Sequence, residues 1–243
     1  MDEKNKYTGM DILDLAQMAP ESVFDEARKI LETLVGYKEL RMMYACALKE
    51  VRTKFEVLDV EFNVRYSRNP INAIHTRLKS NQSILEKMQR RRIPFSLENL
   101  ETRIQDVAGV RVICSYVDDI YRLSEALLRQ DDVKLIAQKD YIQQPKPNGY
   151  RSLHLIVRVP VFFADQRRDL PVEVQIRTIA MDFWASLEHQ LKYKAATQVP
   201  DDVREELYQC AIAIADIDER MQNICRKLRG QCEVEKDSTS PAT

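Results

Sequence analysis

Glu173, Gln175 and Arg177 occupy every second position of the run Pro171-Val172-Glu173-Val174-Gln175-Ile176-Arg177. That alternation is a strand's: Val172, Val174 and Ile176 turn into a core, while an acid, an amide and a guanidinium line the other face. Such a face is either a solvated sheet surface or the floor of a polar site. In a second run Leu153, Leu155, Val157 and Val159 alternate with Ser152, His154, Ile156 and Arg158, so Ser152 and His154 can share the polar face with Gln175. Directly before it, Lys146-Pro147-Asn148-Gly149-Tyr150-Arg151 is a rigid turn presenting an aromatic ring between two cations. A ring so placed can stack a nucleobase while the cations meet its phosphates; the plainer alternative is a hairpin turn with a buried tyrosine.

Further upstream, Arg103-Ile104-Gln105-Asp106-Val107-Ala108-Gly109-Val110-Arg111 leads into another strand. Asp106 and Glu173 are the two acids that can be placed at the sheet with basic residues beside them, and two carboxylates suit Mg²⁺ when it also binds phosphate oxygens. Lys79, Ser83 and Lys87 recur at i, i+4 and i+8 with Arg77 just ahead. Read as one helix face, cation, hydroxyl and cation about 6 Å apart could follow a triphosphate, although charged helix faces usually meet only water.

The elements that must position these groups follow from the apolar period. A helical pattern begins at Pro20-Glu21, and a longer one follows Gly36, where Leu40, Tyr44, Ala47, Val51, Phe55 and Leu58 form a stripe opposite Lys38, Arg41, Lys49, Arg52 and Lys54. A third helix is expected over 72–91, ended by Ile93-Pro94. Strands are expected at 109–116, 134–142, 151–159 and 171–177, with a helix near 118–130 between the first two. Helices follow over 178–195 and from Pro200 to Arg229, the latter closed by Gly230. This order is α+β rather than a βαβ repeat. The expected organisation is a flexible 1–20, N-terminal helices over 21–68, a central domain over 69–195, a C-terminal helix over 196–231 and a disordered tail over 232–243.

Five ordered motifs resemble a known family: Arg77-x-Lys79-x-x-x-Ser83-x-x-x-Lys87-Met88, Asp106-Val-Ala-Gly109-Val-Arg111, Pro145-Lys146-Pro147-Asn148-Gly149-Tyr150-Arg151-Ser152-Leu153-His154, Glu173-Val-Gln175-Ile-Arg177-Thr and Phe183-Trp184-Ala-Ser-Leu-Glu188-His189. Together, over about 70–195, they look like the synthetase domain of the RelA/SpoT alarmone synthetases, and the chain's size resembles the small RelQ or RelP type. The resemblance implies a nucleotidyltransferase-like mixed β-sheet flanked by helices. It also implies transfer of the β,γ-pyrophosphate of ATP to the 3′-hydroxyl of GDP or GTP, giving ppGpp or pppGpp and AMP. Arg77 and Arg111 would then sandwich adenine; Lys79, Ser83 and Lys87 would hold the ATP phosphates; Asp106 and Glu173 would bind Mg²⁺, with Glu173 drawing the proton from the 3′-hydroxyl. Tyr150 would stack on guanine, with Lys146, His154 and Gln175 on the acceptor nucleotide. Asp182 stands where the small synthetases often have Asn, and would set an acid near the guanine N1–H and exocyclic amine. The family's long members carry a hydrolase domain with a His/Asp metal site, whereas the first 70 residues here contain no histidine, so no hydrolase activity is expected.

Composition narrows the field. Lys and Arg total 37 against 38 Asp and Glu, for a net charge of -1, so a dedicated duplex-DNA binder is not expected and nucleotide chemistry must come from a local cluster. The 5 glycines have neither dinucleotide-binding nor P-loop spacing. The 5 cysteines form no C-x-x-C pair and read as reduced cytosolic thiols, and 3 scattered histidines argue against zinc. No apolar run suggests a secretory signal or a membrane span, so a cytoplasmic protein is expected. Leu207, Ile214, Met221 and Leu228 recur every seven residues with Cys210, Ile217 and Ile224 at the second seam position. Either that helix lies on its own domain or it joins copies; the resemblance favours a homo-oligomer, expected to be a tetramer. A competing class is a catalytically silent module that senses guanine nucleotides or single-stranded RNA, against which the pair Asp106 and Glu173 speaks.

Overall fold

The structure is a computed structural model, and it describes residues 21–194 and 200–238 of the chain. The expected flexible segment 1–20 and the last residues of the tail, 239–243, lie outside the described residues. Helix α1 (Glu21–Tyr66) is one continuous helix rather than two. Its stripe Leu40, Tyr44, Ala47, Leu48, Val51, Phe55 and Leu58 is wholly buried, and burying side chains such as Val51 and Phe55 contributes about 1.5–3 kcal/mol apiece. Gly36 does not end the helix. A Cβ there would stand 2.7 Å from Leu97 Cδ1, so the glycine admits the start of α3 (Leu97–Arg103) against α1.

The expected helix over 72–91 is corrected by the structure. Residues Ile71–Leu78 form strand β1, and only Asn81–Arg90 form a helix, α2. Ile74 and Leu78, four apart, imitate a helical stripe, but β1 has a partner that satisfies its backbone: it runs antiparallel to β2 (Ala108–Cys114). The Ser80 hydroxyl, accepting from Ser83 N at 3.2 Å, caps the helix that follows. Arg77 and Lys79 therefore do not share a helix face with Ser83 and Lys87.

After β2 come α4 (Val117–Leu128), β3 (Lys134–Asp140), β4 (Leu153–Phe162) and β5 (Arg167–Thr178). The five strands lie in the order β1-β2-β5-β4-β3, with β2 and β5 parallel and every other pair antiparallel. Val110, Val112, Leu153, Leu155, Val157, Val172, Val174 and Ile176 join α1 and the buried Ile120, Leu123 and Leu127 of α4 in one core. The opposite sheet face carries Arg77, Arg111, His154, Glu173 and Gln175, with Ile113 and Ile156 among them. This is the α+β mixed sheet flanked by helices that the motif order implied.

Helices α5 (Ile179–Lys194) and α6 (Asp201–Ser238) complete the chain. The expected stop at Gly230 is also corrected, since α6 continues to Ser238 and takes in part of the expected tail. Toward its own domain α6 turns small and polar groups: Ala211, Asp218 and Gln222 are buried. Thr178 Oγ1 donates to Asp218 Oδ2 at 2.5 Å, Trp184 Nε1 donates to Leu207 O at 2.9 Å, and Gln222 and Arg226 hold Asp118 of α4.

Gly149 rests against the side of this helix. Its φ is +85°, and an added Cβ would lie 2.4 Å from the Ala211 Cβ. Gly149→Ala is expected to lose about 2–4 kcal/mol, from left-handed backbone strain plus overpacking. Denaturant melts should show it, and an unchanged midpoint would mean the loop does not rest on α6.

Candidate active site

The register of the central strands builds the site. On the polar face, Gly109 pairs with Glu173 and Arg111 with Gln175 between β2 and β5, while His154 pairs with Gln175 between β4 and β5. On the other flank, Arg77 of β1 pairs with Gly109 and His75 with Arg111. Asp106 enters just ahead of β2, and Lys79, just past β1, is pinned there by its N–H donating to Val107 O at 2.8 Å.

Two cavities open on this face. One, of about 320 Å³, is lined by Arg77, Lys79, Arg111 and Gln175 among others; the second, of about 370 Å³, is lined by Lys87, Arg91, Arg103, Lys139, Tyr141, Lys146 and His154. Asp106 and Glu173 line both. Two ligand spaces thus share a wall made of two carboxylates.

Asp106 Oδ2 accepts from Lys79 Nζ at 3.0 Å and from Lys87 Nζ at 2.5 Å. Burial would raise this carboxyl, but the two lysines outweigh it and hold it below the usual value. Its Oδ1 is buried without a hydrogen-bond partner among the described residues. Glu173 is also pushed up by burial, yet His154 and the amide of Gln175, which donates to Oε2 at 3.1 Å, bring it below the usual range. Both acids are therefore charged at neutral pH. An orphaned buried oxygen on one and a half-buried carboxylate beside it fit a divalent cation whose remaining ligands come from phosphates and water.

On the far side, Lys146 Nζ lies 4.6 Å from the Tyr141 ring centroid and 4.5 Å from that of Tyr150. Burial lowers its pKa, against the pull of Glu173. Tyr141 stands edge-on to His154, with centroids 5.1 Å apart, so Tyr141, Tyr150 and His154 wall one aromatic corner. The two cations at Tyr150 are Lys146 and Arg177, whose Cζ is 5.4 Å from its centroid. Arg151 instead turns away and donates to Ile142 O.

Most of the sequence-derived site residues meet here, with qualifications. Tyr150 lines neither cavity but packs against Lys146, Tyr141 and His154 of the second, while Lys87 lines the second and Gln175 the first. Ser152 is fully buried and donates to Ile176 O at 3.1 Å, away from the polar face. Ser83 lies in the first turn of α2 beside Ser80 and lines neither cavity. Asp182 Oδ1 sits 3.2 Å from Arg111 Nη1 and 3.4 Å from Arg177 Nη1, joining the two flanks. Sequence reasoning missed Tyr141, Arg91, Arg103 and Lys139. Lys139 was within reach, since it pairs with His154 once β3 and β4 are read as a hairpin; Arg91 and Arg103 carry no periodic signal. Arg41, read as part of a solvated face, donates to Lys79 O at 2.9 Å and Asn81 Oδ1 at 3.0 Å, which braces the loop carrying Lys79.

The model for the region found in RelA and SpoT proteins matches residues 76–198. GTP pyrophosphokinase YwaC of Bacillus subtilis is 40% identical over 84% of this chain and 96% of its own length. Among solved structures, small alarmone synthetase 1 of Bacillus subtilis bound to its product pppGpp superposes with a TM-score of 0.72 at 36% identity, covering 79% of this chain and 97% of that one. The same protein bound to AMPCPP gives 0.68 at 33% identity, over 80% and 98%.

Proposed function

The chain belongs to the RelA/SpoT family, and from that premise we propose that it is a GTP pyrophosphokinase that moves the β,γ-pyrophosphate of ATP onto the 3′-hydroxyl of GDP or GTP, giving ppGpp or pppGpp and AMP. The observation that carries this reading is the pair of cavities meeting at Asp106 and Glu173. A donor and an acceptor nucleotide placed one in each would bring their reacting groups together at the shared wall.

ATP belongs in the first cavity. Arg77 pairs with Gly109, so Arg111 is its diagonal neighbour on β2, and such neighbours are about 7–8 Å apart. That gap admits one flat base with a guanidinium on each face, which suits adenine. Lys79 and the helix start at Ser83 are the groups for its phosphates, joined by Lys87, which lines the second cavity and meets Lys79 at Asp106 on the shared wall, and Arg41 keeps the Lys79 loop in place. The acceptor belongs in the second cavity, lined by Lys146 and His154, with guanine on Tyr150, which adjoins that lining through Lys146, Tyr141 and His154, and with Gln175 on the first cavity's side of the shared wall. Asp182 orders Arg111 and Arg177 with one oxygen, and would meet the guanine N1–H and exocyclic amine with the other.

Mg²⁺ held by Asp106 and Glu173 would supply neutralisation of phosphate charge. Lys79 and Lys87, which pair with Asp106, are the cations placed to meet the phosphates. Phosphoryl transfer needs placement and charge more than covalent help, which this array of cations provides. Glu173, ionised before substrate arrives, accepts the hydrogen bond of the 3′-hydroxyl and takes its proton as the new O–P bond forms.

The chain assembles with its own copies, as a tetramer, through its terminal helices. On α6, Ile217, Met221, Ile224 and Leu228 are about half exposed although larger and more apolar than the groups α6 buries, and Phe24, Ile30, Leu31, Leu34 and Val35 of α1 are exposed likewise. Nucleotide substrates of this kind place the work in the cytoplasm, and no described helix is long and apolar enough to cross a membrane.

Incubation with ATP, GDP and Mg²⁺ should release AMP, and Glu173→Gln should abolish that release with the melting temperature unchanged; near-normal AMP release by the variant would remove Glu173 from the mechanism. Tyr150→Ala should weaken GDP binding by about 1–3 kcal/mol and ATP binding much less, while Arg111→Ala should raise the KM for ATP. The reverse pattern in calorimetry and kinetics would mean that the two pockets are exchanged. Ile217→Glu with Ile224→Glu should dissociate the assembly; light scattering that gives a monomer's mass for the unmodified protein at micromolar concentration would refute it.

A further inference from the structure

The acceptor side holds a chain of hydrogen bonds that the roles above leave unused. Arg177 is 2% exposed, and its Nη2 donates to Tyr150 Oη at 3.0 Å and to Gln175 Oε1 at 2.6 Å. Tyr150 Oη lies 2.8 Å from His154 Nε2, and His154 Nδ1 lies 3.6 Å from Glu173 Oε1. The other branch ends on the same carboxylate, with Gln175 Nε2 donating to Glu173 Oε2 at 3.1 Å.

A guanidinium has N–H groups to give and no lone pair to offer. The Tyr150 oxygen must therefore accept from Arg177, and, of the two other side chains beside it, His154 and Ser152, its single proton is assigned to His154 Nε2 at 2.8 Å. That nitrogen then presents its lone pair, so the imidazole hydrogen sits on Nδ1, the atom facing Glu173. In the same way Arg177 fixes the Gln175 amide: its oxygen is taken, so its NH₂ is what turns to Glu173. Both routes start at one buried cation and end in a donor, one toward each oxygen of one acid. The 3.6 Å gap at Nδ1 is longer than a hydrogen bond, so what the chain of bonds fixes there is the ring's orientation toward Glu173. Asp182, 3.4 Å from Arg177 Nη1, balances the cation from the side away from Glu173's two donors.

We propose that Arg177 is a positioning residue which, through the Tyr150 hydroxyl and the Gln175 amide, sets the direction of two donors onto Glu173 and so orients that carboxylate for the acceptor's 3′-hydroxyl. The inference rests on the role given above to Glu173. It assigns Tyr150 two separable tasks, its ring for the base and its hydroxyl for the order of the chain.

Tyr150→Phe separates them. In the unmodified protein at mildly alkaline pH, ¹⁵N NMR should show His154 as the Nδ1–H tautomer, its signal identified by its loss in His154→Gln. Tyr150→Phe should shift that population toward Nε2–H and lower kcat by about 10–100-fold, the usual cost of losing a group that orients another, with the KM for GDP within about twofold. Arg177→Lys, which keeps a cation that only donates, should retain more of the Nδ1–H form and of kcat than Arg177→Met. An Nε2–H tautomer in the unmodified protein, or a Tyr150→Phe enzyme with full kcat, overturns the proposal. Absence of AMP release from the unmodified protein would instead overturn the pyrophosphokinase reading, and the tautomer would still decide the order of the chain.

Discussion

The parallel pairing of β2 with β5 is the constraint on which the rest of the molecule turns. It sets Gly109 beside Glu173 and Arg111 beside Gln175, although more than sixty residues of chain separate the partners. Parallel neighbours cannot be joined by a tight turn, so the chain must leave the sheet and return. It spends that excursion on α4, which covers the core, and on the β3–β4 hairpin, which carries the second cavity. One flank of the central pair then receives β1 with Arg77, and the other receives β4 with His154. Had β5 shifted by one residue, Val172, Val174 and Ile176 would face the site and Glu173 the core.

Each substrate loop is braced by a terminal helix. Tyr37 and Arg41 of α1 hold Asn81 and the carbonyl of Lys79. At the other end, Ala211 of α6 lies under Gly149, while Asn148 donates to Glu188 of α5 at 3.0 Å. These helices are also the ones with large exposed apolar side chains. Assembly through them would therefore bear on both loops, because the rods proposed to meet a neighbouring copy support the residues proposed to meet the nucleotides.

The sheet was legible in the sequence wherever alternation was clean. Val172, Val174 and Ile176 are buried, and Glu173, Gln175 and Arg177 share the other face, as the period of two requires. The same reading failed at β1, because Ile74 and Leu78 at a spacing of four look helical and nothing local reveals that β2 will supply the missing partner. It also failed at Gly36, where the cost of glycine in a helix is offset by a close contact with a residue sixty positions away. Asp106, Lys146, Tyr150 and His154 could be picked out because motif and turn chemistry are local. Tyr141, Arg91 and Arg103 could not, since what makes them neighbours is the closing of a cavity by separate elements. The two branches from Arg177 were beyond reach for the same reason: residue types can be listed from a sequence, but the direction of a hydrogen bond is a property of three-dimensional order.

The whole chain is nearly neutral, at -1, yet the two cavities are lined by Arg77, Lys79, Arg111, Lys87, Arg91, Arg103, Lys139 and Lys146 against only Asp106 and Glu173. With the totals balanced, the acids that offset these cations lie outside the cavities, so the site is a local positive patch on a nearly neutral molecule. Such a field draws polyanions inward and is weakened by salt. It acts on departure as well as arrival. Transfer concentrates phosphate on the acceptor, so the product is more anionic than the nucleotide it came from, and it must climb out of a deeper well than its precursor fell into. Ionic strength therefore acts on the two ends of the cycle in opposite directions, slowing capture while freeing the product.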